Sequence, residues 1–133
     1  IDYLTAVLPA THPLAKADNL PFEQLRGETF LLFPEHSFIN DLCIRECRNA
    51  GFEPHIAYTG NRGATLIDLV RNGAGITLMM HHSARQENDS SLAFIPVTPG
   101  IYSYISLNYT KEKPLSPQAE SFVRYVKAHK RDF

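Results

Sequence analysis

Basic residues are not in excess in this 133-residue chain: 13 Lys and Arg stand against 14 Asp and Glu, a formal net charge of −1. Phosphate binding needs clustered cations, so the chain is a poor grip on nucleic acid by itself. Any DNA contact would belong to a segment outside it. Cysteine is scarce too: Cys43 and Cys47 are the two present. Four residues apart on a predicted helix, they share a face and form no disulfide framework. They read as small buried apolar groups, with metal or redox work as the alternative. No apolar run reaches membrane-spanning length, and no charged start leads into a signal-type apolar stretch. There is no low-complexity block or long charge run of the kind that marks disorder. Catalytic signatures are also missing: no Gly-x-Ser-x-Gly elbow, no phosphate-cradling Gly-x-x-x-x-Gly-Lys, no His-Glu-x-x-His. Glu35 beside His36 is a loose pair, and adjacency in sequence does not place a general acid and base in register. The reading is of a non-enzyme without metal or cofactor.

What is present suits one ordinary globular domain, with 44% hydrophobic and 20% charged residues. Residues 3–9 (YLTAVLP), 28–33 (ETFLLF), 55–59 (HIAYT), 76–80, 92–97 and 102–109 (YSYISLNY) carry the apolar or alternating character of strands. Residues 11–15 (THPLA) predict a turn, since a residue before proline is pushed away from helix. A short helical turn is expected over 21–25. A helix is predicted from Ser37, a plausible N-cap, to Gly51, with Ile39, Leu42, Cys43, Cys47 and Ala50 at helical spacing. Residues 59–65 (TGNRGAT) read as a glycine-bearing loop, 66–72 as a helix and 83–91 as a polar loop with room for a helical turn. Ser116 and Pro117 predict an N-cap and first helical residue. Ala119, Phe122, Val123 and Val126 form that helix's apolar stripe, and the tail 127–133 is expected to fray. The alternation of strands and helices predicts an α/β fold with a mostly parallel sheet. The start at Ile1, directly in strand-like sequence, is expected of a piece of a longer protein.

Five segments carry a resemblance. AVLPATHPLA (6–15), LRGETFLLFPEHS (25–37), AGFEPHIAYTG (50–60), TLIDLVRNGAGITLMM (65–80) and LSPQAESFVRYV (115–126) resemble, in order and spacing, the second lobe and closing helix of the effector-binding domain of LysR-type transcriptional regulators. One departure stands out: family members usually place a proline after the Gly-Ile strand, where this chain reads Met79, Met80, His81, His82. The resemblance implies a type II periplasmic-binding-protein-like fold of two α/β lobes joined by crossing strands. This chain would supply a three-layer second lobe over about 10–101, hinge strands at 3–9 and 102–110, and a helix at 116–127 that belongs to a first lobe. It further implies a cytoplasmic bacterial regulator that senses a small anionic or polar effector, pairs with a second copy, and touches DNA only through an N-terminal helix-turn-helix. The pairing edge would be helix 38–50 and strand 55–58. A lobe of a transport-type solute-binding protein and a small α/β enzyme are the alternative readings.

Loops after parallel strands meet helix N-termini at one sheet edge, where backbone N–H groups and helix dipoles favour an anion. Two loops fit. In the first, Phe33, Pro34, Glu35, His36 and Ser37 lead into a helix: the free N–H groups suit a carboxylate, Phe33 supplies an apolar wall, and His36 can donate a hydrogen bond. Here the alternative is that Ser37 merely caps the helix and His36 is solvated. In the second, Asn61, Arg62 and Thr65 can bind oxygen atoms beside glycines that permit close backbone approach; the alternative is a plain turn with Arg62 in solvent. His81 and His82 would face opposite sides of a strand end, and no third ligand accompanies them for a metal. Ile105 and Leu107 read as core, or as the lining of the hinge side.

Overall fold

The computed structural model describes residues 1–87 and 89–132 and divides the chain into two compact units, one of Asp2–Tyr102 and one of Ile1 with Ser103 onward. The larger unit opens with β1 (Asp2–Pro9), β2 (Leu20–Pro21), a 3-10 turn (Phe22–Leu25), β3 (Thr29–Leu32) and α1 (Phe38–Asn49). It continues with β4 (His55–Thr59), α2 (Gly63–Arg71), β5 (Thr77–Met80), α3 (His81–Arg85) and β6 (Leu92–Thr98); β7 (Tyr102–Ser103) straddles the boundary.

The strands pair in the order β2-β6-β1-β5, and β3-β4 adjoins through a parallel bridge between Phe30 and Ile76. β2 runs parallel to β6 and β3 parallel to β4, but β1, which also pairs with β7, is antiparallel to β5 and β6. The sheet is therefore mixed, not mostly parallel as the alternation of elements suggested. Helical crossovers dictate the direction only of the strands they join. β1 enters from outside that series and inserts between β5 and β6, and its ladders are the longest in the sheet.

The pleat sends alternate residues of each strand to opposite faces. Leu4, Ala6 and Leu8 of β1 face one core with Phe30, Leu78 and the α1 cysteines, whereas Val7 faces another with Leu31, Met79 and the α2 residues Leu66, Ile67 and Val70. The near-continuous apolar runs of β3 and β5 follow from this two-sided burial. At the entry to β5, a Cβ on Gly75 would run into the Thr29 carbonyl oxygen, so this close approach of two strands admits only glycine. Gly51, with φ 90°, closes α1 as expected.

The HPLA turn has a physical basis. His12 Nδ1 accepts from the Leu14 N–H at 3.0 Å, so its Nε2 carries the proton and donates to Glu28 at 2.9 Å, tying the turn to the start of β3. β4 is an edge strand. The ladder slips one residue between Phe30 and Leu31, leaving Ala57 as a bulge, and only Ile56 of β4 turns inward. Such bulges twist an edge away from unwanted pairing.

The second unit contains α4 (Pro117–Ala128) and a 3-10 turn (Lys130–Asp132). Ser116 caps α4 by accepting from the Ala119 N–H, and Pro117 opens the helix, as the sequence indicates. Val123 is buried and Ala119 and Val126 are half-buried, but Phe122 is exposed. The tail expected to fray continues as this last turn; Phe133 lies outside the described residues, as does Asn88 of the expected 83–91 loop. The predicted strand over 102–109 exists only as Tyr102–Ser103. Its alternation is real, but Ile105 is 86% exposed and Leu107 is exposed too, so neither is core. A strand needs a hydrogen-bonded neighbour, and alternation alone supplies none.

Candidate functional site

β3, β4 and β5 run parallel, so their C-terminal ends share one edge, and the two predicted loops meet there. Gly60 N–H donates to the Leu32 carbonyl at 3.0 Å, carrying the β3–β4 ladder to the rim. A Cβ on Gly63, the first residue of α2, would sit 3.7 Å from Phe33 Cζ, which puts the start of one loop against the end of the other.

In the first loop Ser37 N–H donates to the Pro34 carbonyl at 3.1 Å, closing a tight turn. The third residue of that turn, His36, has φ 66°, a conformation L side chains avoid. Glu35 and His36 are exposed; Phe33, Pro34 and Ser37 are half-buried. Ser37 Oγ accepts from the Asn40 N–H at 3.3 Å and so caps α1. The residue that holds this loop was missed from the sequence. Asn40 is 1% exposed, and its Nδ2 donates to the Phe33 carbonyl at 2.8 Å. A signal existed: Asn40 precedes Cys43 and Cys47 on the buried stripe, and a polar residue on such a stripe needs a partner.

In the second loop Asn61 and Arg62 are exposed and Thr65 half-buried. α2 starts at Gly63, earlier than expected, so Thr65 lies in its first turn rather than in a loop. Arg62 occupies the N-cap position without a side-chain cap hydrogen bond, which leaves first-turn N–H groups open to another acceptor. Below the Glu35–His36 turn, an open depression of about 440 Å³ lies between α1 and β4, lined by Asp41, Ile44, Ile56 and Tyr58 among others.

The histidine pair departs from expectation. His81 and His82 follow β5 directly, as the sequence indicates, but they open α3, so strand alternation does not set their directions. Their rings diverge, with centroids 6.3 Å apart at 80°. His82 Nδ1 lies 3.0 Å from Asp2 Oδ1, and the same carboxylate accepts the His82 N–H at 3.2 Å. Burial alone would raise the Asp2 carboxyl, but the His82 side chain and the Tyr3 and His82 N–H groups outweigh it and hold it below the usual range. His81 stacks on Tyr3, centroids 4.4 Å apart, with its Nδ1 3.4 Å from Thr5 Oγ1. Burial lowers the His81 imidazole, Arg85 adds to this, and Asp2 opposes it. Tyr3, Thr5 and Asp2 belong to the start of β1, whose antiparallel course brings that end to the C-terminal edge of β5.

Cys43 and Cys47 are buried and free. Burial pushes Cys47 up to about 12 and Cys43 in the same direction, which keeps both as unreactive thiols at neutral pH. Among the described residues no cluster of His, Cys, Asp or Glu could hold a metal ion, and no helix is long and apolar enough to cross a membrane.

Residues 2–131 match the family model described as LysR substrate binding domain. The chain belongs to that family, a non-catalytic effector-binding domain of transcription regulators. It is 30% identical over 122 residues to the transcriptional dual regulator GltC of Bacillus subtilis, covering 91% of this chain and 41% of that relative. The chain thus spans less than half the length of the curated relatives it matches. Its fold matches the Synechocystis PCC6803 CcmR regulatory domain in complex with 2-PG, with a TM-score of 0.78 and 18% identity over 96% of this chain and 62% of that one. It also matches the QuiR effector binding domain in complex with shikimate, with a TM-score of 0.71 and 19% identity over 96% of this chain and 63% of the other.

Proposed function

We propose that this chain takes a small anionic or polar metabolite at the rim built by Phe33, Pro34, Glu35, His36, Ser37, Asn61, Arg62 and Thr65, as the sensing part of a LysR-type regulator. The observation that supports this most is the approach of Gly63, the first residue of α2, to Phe33, which opens the loop leading into α1, so that both helices start from the same sheet edge. Two helix ends add their N–H groups and partial positive charge, the arrangement that holds carboxylates and phosphates. Arg62 supplies a full charge, Asn61 and Thr65 hydrogen bonds, and Phe33 an apolar wall beside the left-handed His36 turn. That matching structures hold 2-PG and shikimate supports the small-ligand reading.

In the same reading residues 10–101 are the second lobe of a hinged clamp, with 3–9 and 102–110 as its crossings and 116–127 packed on a companion lobe. The whole regulator is cytoplasmic, self-associates through the edge formed by α1 and β4, and reaches DNA through a separate helix-turn-helix.

The test is a thermal-shift and calorimetric screen of small carboxylic acids and polar metabolites on the full-length regulator. A ligand that binds the native state raises its melting temperature by linkage. Arg62→Ala and Ser37→Ala should each weaken a bound acid about tenfold or more, as loss of a charge-assisted hydrogen bond does. Tight binding that ignores Arg62→Ala, Ser37→Ala and Phe33→Ala would place the site elsewhere.

A further inference from the structure

We propose that His81 reads a hydroxyl or carbonyl group of the effector, so that this chain selects acids bearing such a group over acids that lack it. The inference rests on the effector site proposed above and adds a second point of recognition to it.

The geometry around His81 is that of a ring held for use. Tyr3 and Thr5 are alternate residues of β1 and project from the same face. Tyr3 fixes the plane of the imidazole, with the two rings only 18° from parallel. Thr5 fixes the roll of the ring within that plane, because its hydroxyl lies 3.4 Å from Nδ1. Thr5 is fully buried, and the His81 ring is its side-chain partner among the described residues. Nε2 lies across the ring from Nδ1 and has no partner among the described residues. A half-buried ring oriented by two neighbours and left with one open nitrogen is a preorganised hydrogen-bonding group.

His81 also stands where such a group is useful. It follows the last residue of β5 directly, and β5 lies beside β3, as the hydrogen bond from Leu31 N–H to the Ile76 carbonyl at 2.8 Å shows. Adjacent strands are about 4.8 Å apart. The Phe33–Ser37 loop and His81 thus leave neighbouring parallel strands at one sheet edge, where the proposed effector would reach both. The charge environment decides the kind of group. Arg85 and His82 flank His81 on α3 and Asp2 approaches from β1; burial and Arg85 favour the uncharged imidazole at neutral pH. A neutral imidazole gives a directional hydrogen bond and no net attraction for a second anion, so charge recognition stays with the helix ends and Arg62.

The test uses the full-length regulator and matched acids that differ by one hydroxyl: butyrate against 3-hydroxybutyrate and benzoate against 4-hydroxybenzoate. In at least one pair the hydroxylated acid should bind roughly tenfold more tightly. His81→Phe should bring that ratio to about one. His81→Gln should retain part of the preference. If His81→Phe does not fold, Thr5→Val makes the same test, since it keeps the side chain's shape and removes the hydroxyl that sets the ring. A preference that survives His81→Phe, or Thr5→Val where that variant stands in, overturns the assignment, as does wild-type binding with no preference in either pair. In both cases sensitivity of acid binding to Arg62→Ala would leave the effector rim standing. Failure of every acid to bind overturns the rim and His81 together.

Discussion

The unit Asp2–Tyr102 and the stretch after Ser103 draw on similar residues and end differently. In the first, strands such as β3 and β5 have neighbours on both sides and helices on both faces, and Phe30, Leu32 and Leu78 are sealed from solvent. In the second, residues 104–109 alternate as cleanly as any strand in the chain, yet Tyr104 is 72% exposed and Ile105 is more so. Periodicity describes which faces a strand would have. Whether it becomes one depends on a ladder partner and a surface to cover it. α4 marks the boundary of that rule: a helix satisfies its own backbone, so Ser116 and Pro117 can start it with one buried side chain, Val123.

The comparison is sharpest in mutants that ask each region for the same thing. Phe30→Ala should cost about 3–5 kcal/mol in urea or thermal unfolding, whereas Ile105→Ala should stay within about 0.5 kcal/mol. Equal losses would mean that residues 104–109 are as well packed as the core. Gly75→Ala should cost roughly 1–3 kcal/mol, because the new methyl meets the Thr29 backbone and not a side chain that can move. Thr77→Val should work in the opposite direction. The Thr77 hydroxyl is buried with no partner among the described residues, and replacing it by a methyl should stabilise the larger unit by about 1 kcal/mol.

The smallest effect is a change of slope with pH. The native His81 value lies below the ordinary imidazole value of 6.5. The unfolded chain therefore binds more protons than the native one as pH falls from 6.5 toward the native value, and native stability declines across that window. His81→Phe should flatten this part of a stability-against-pH curve. An unchanged slope would mean that other groups produce it.

The candidate site was only partly readable in advance. The two loops were visible because turn chemistry is local: Pro34 and Ser37 around one, the glycines around the other. Their meeting was inferred from strand order and is seen at Phe33 and Gly63. Asn40 escaped because it looked like any residue in a helical stripe, although its amide secures the Phe33 carbonyl. The His81 environment was not legible because strand alternation does not apply to two residues that open a helix, and the approach of Tyr3 and Thr5 comes from 76 or more residues away in the chain.

The chain's own order of residues determined its elements, caps and most of its core. These depend on interactions within a few residues: helical and strand periodicity, Ser37 and Ser116 as caps, Gly51 at a left-handed position. Tertiary structure alone decided that β1 inserts antiparallel between β5 and β6, that 104–109 has no ladder, and that Asn40 and His81 have the partners they do. Those outcomes depend on which distant segments become neighbours, and a local pattern holds no information about the surface it will meet.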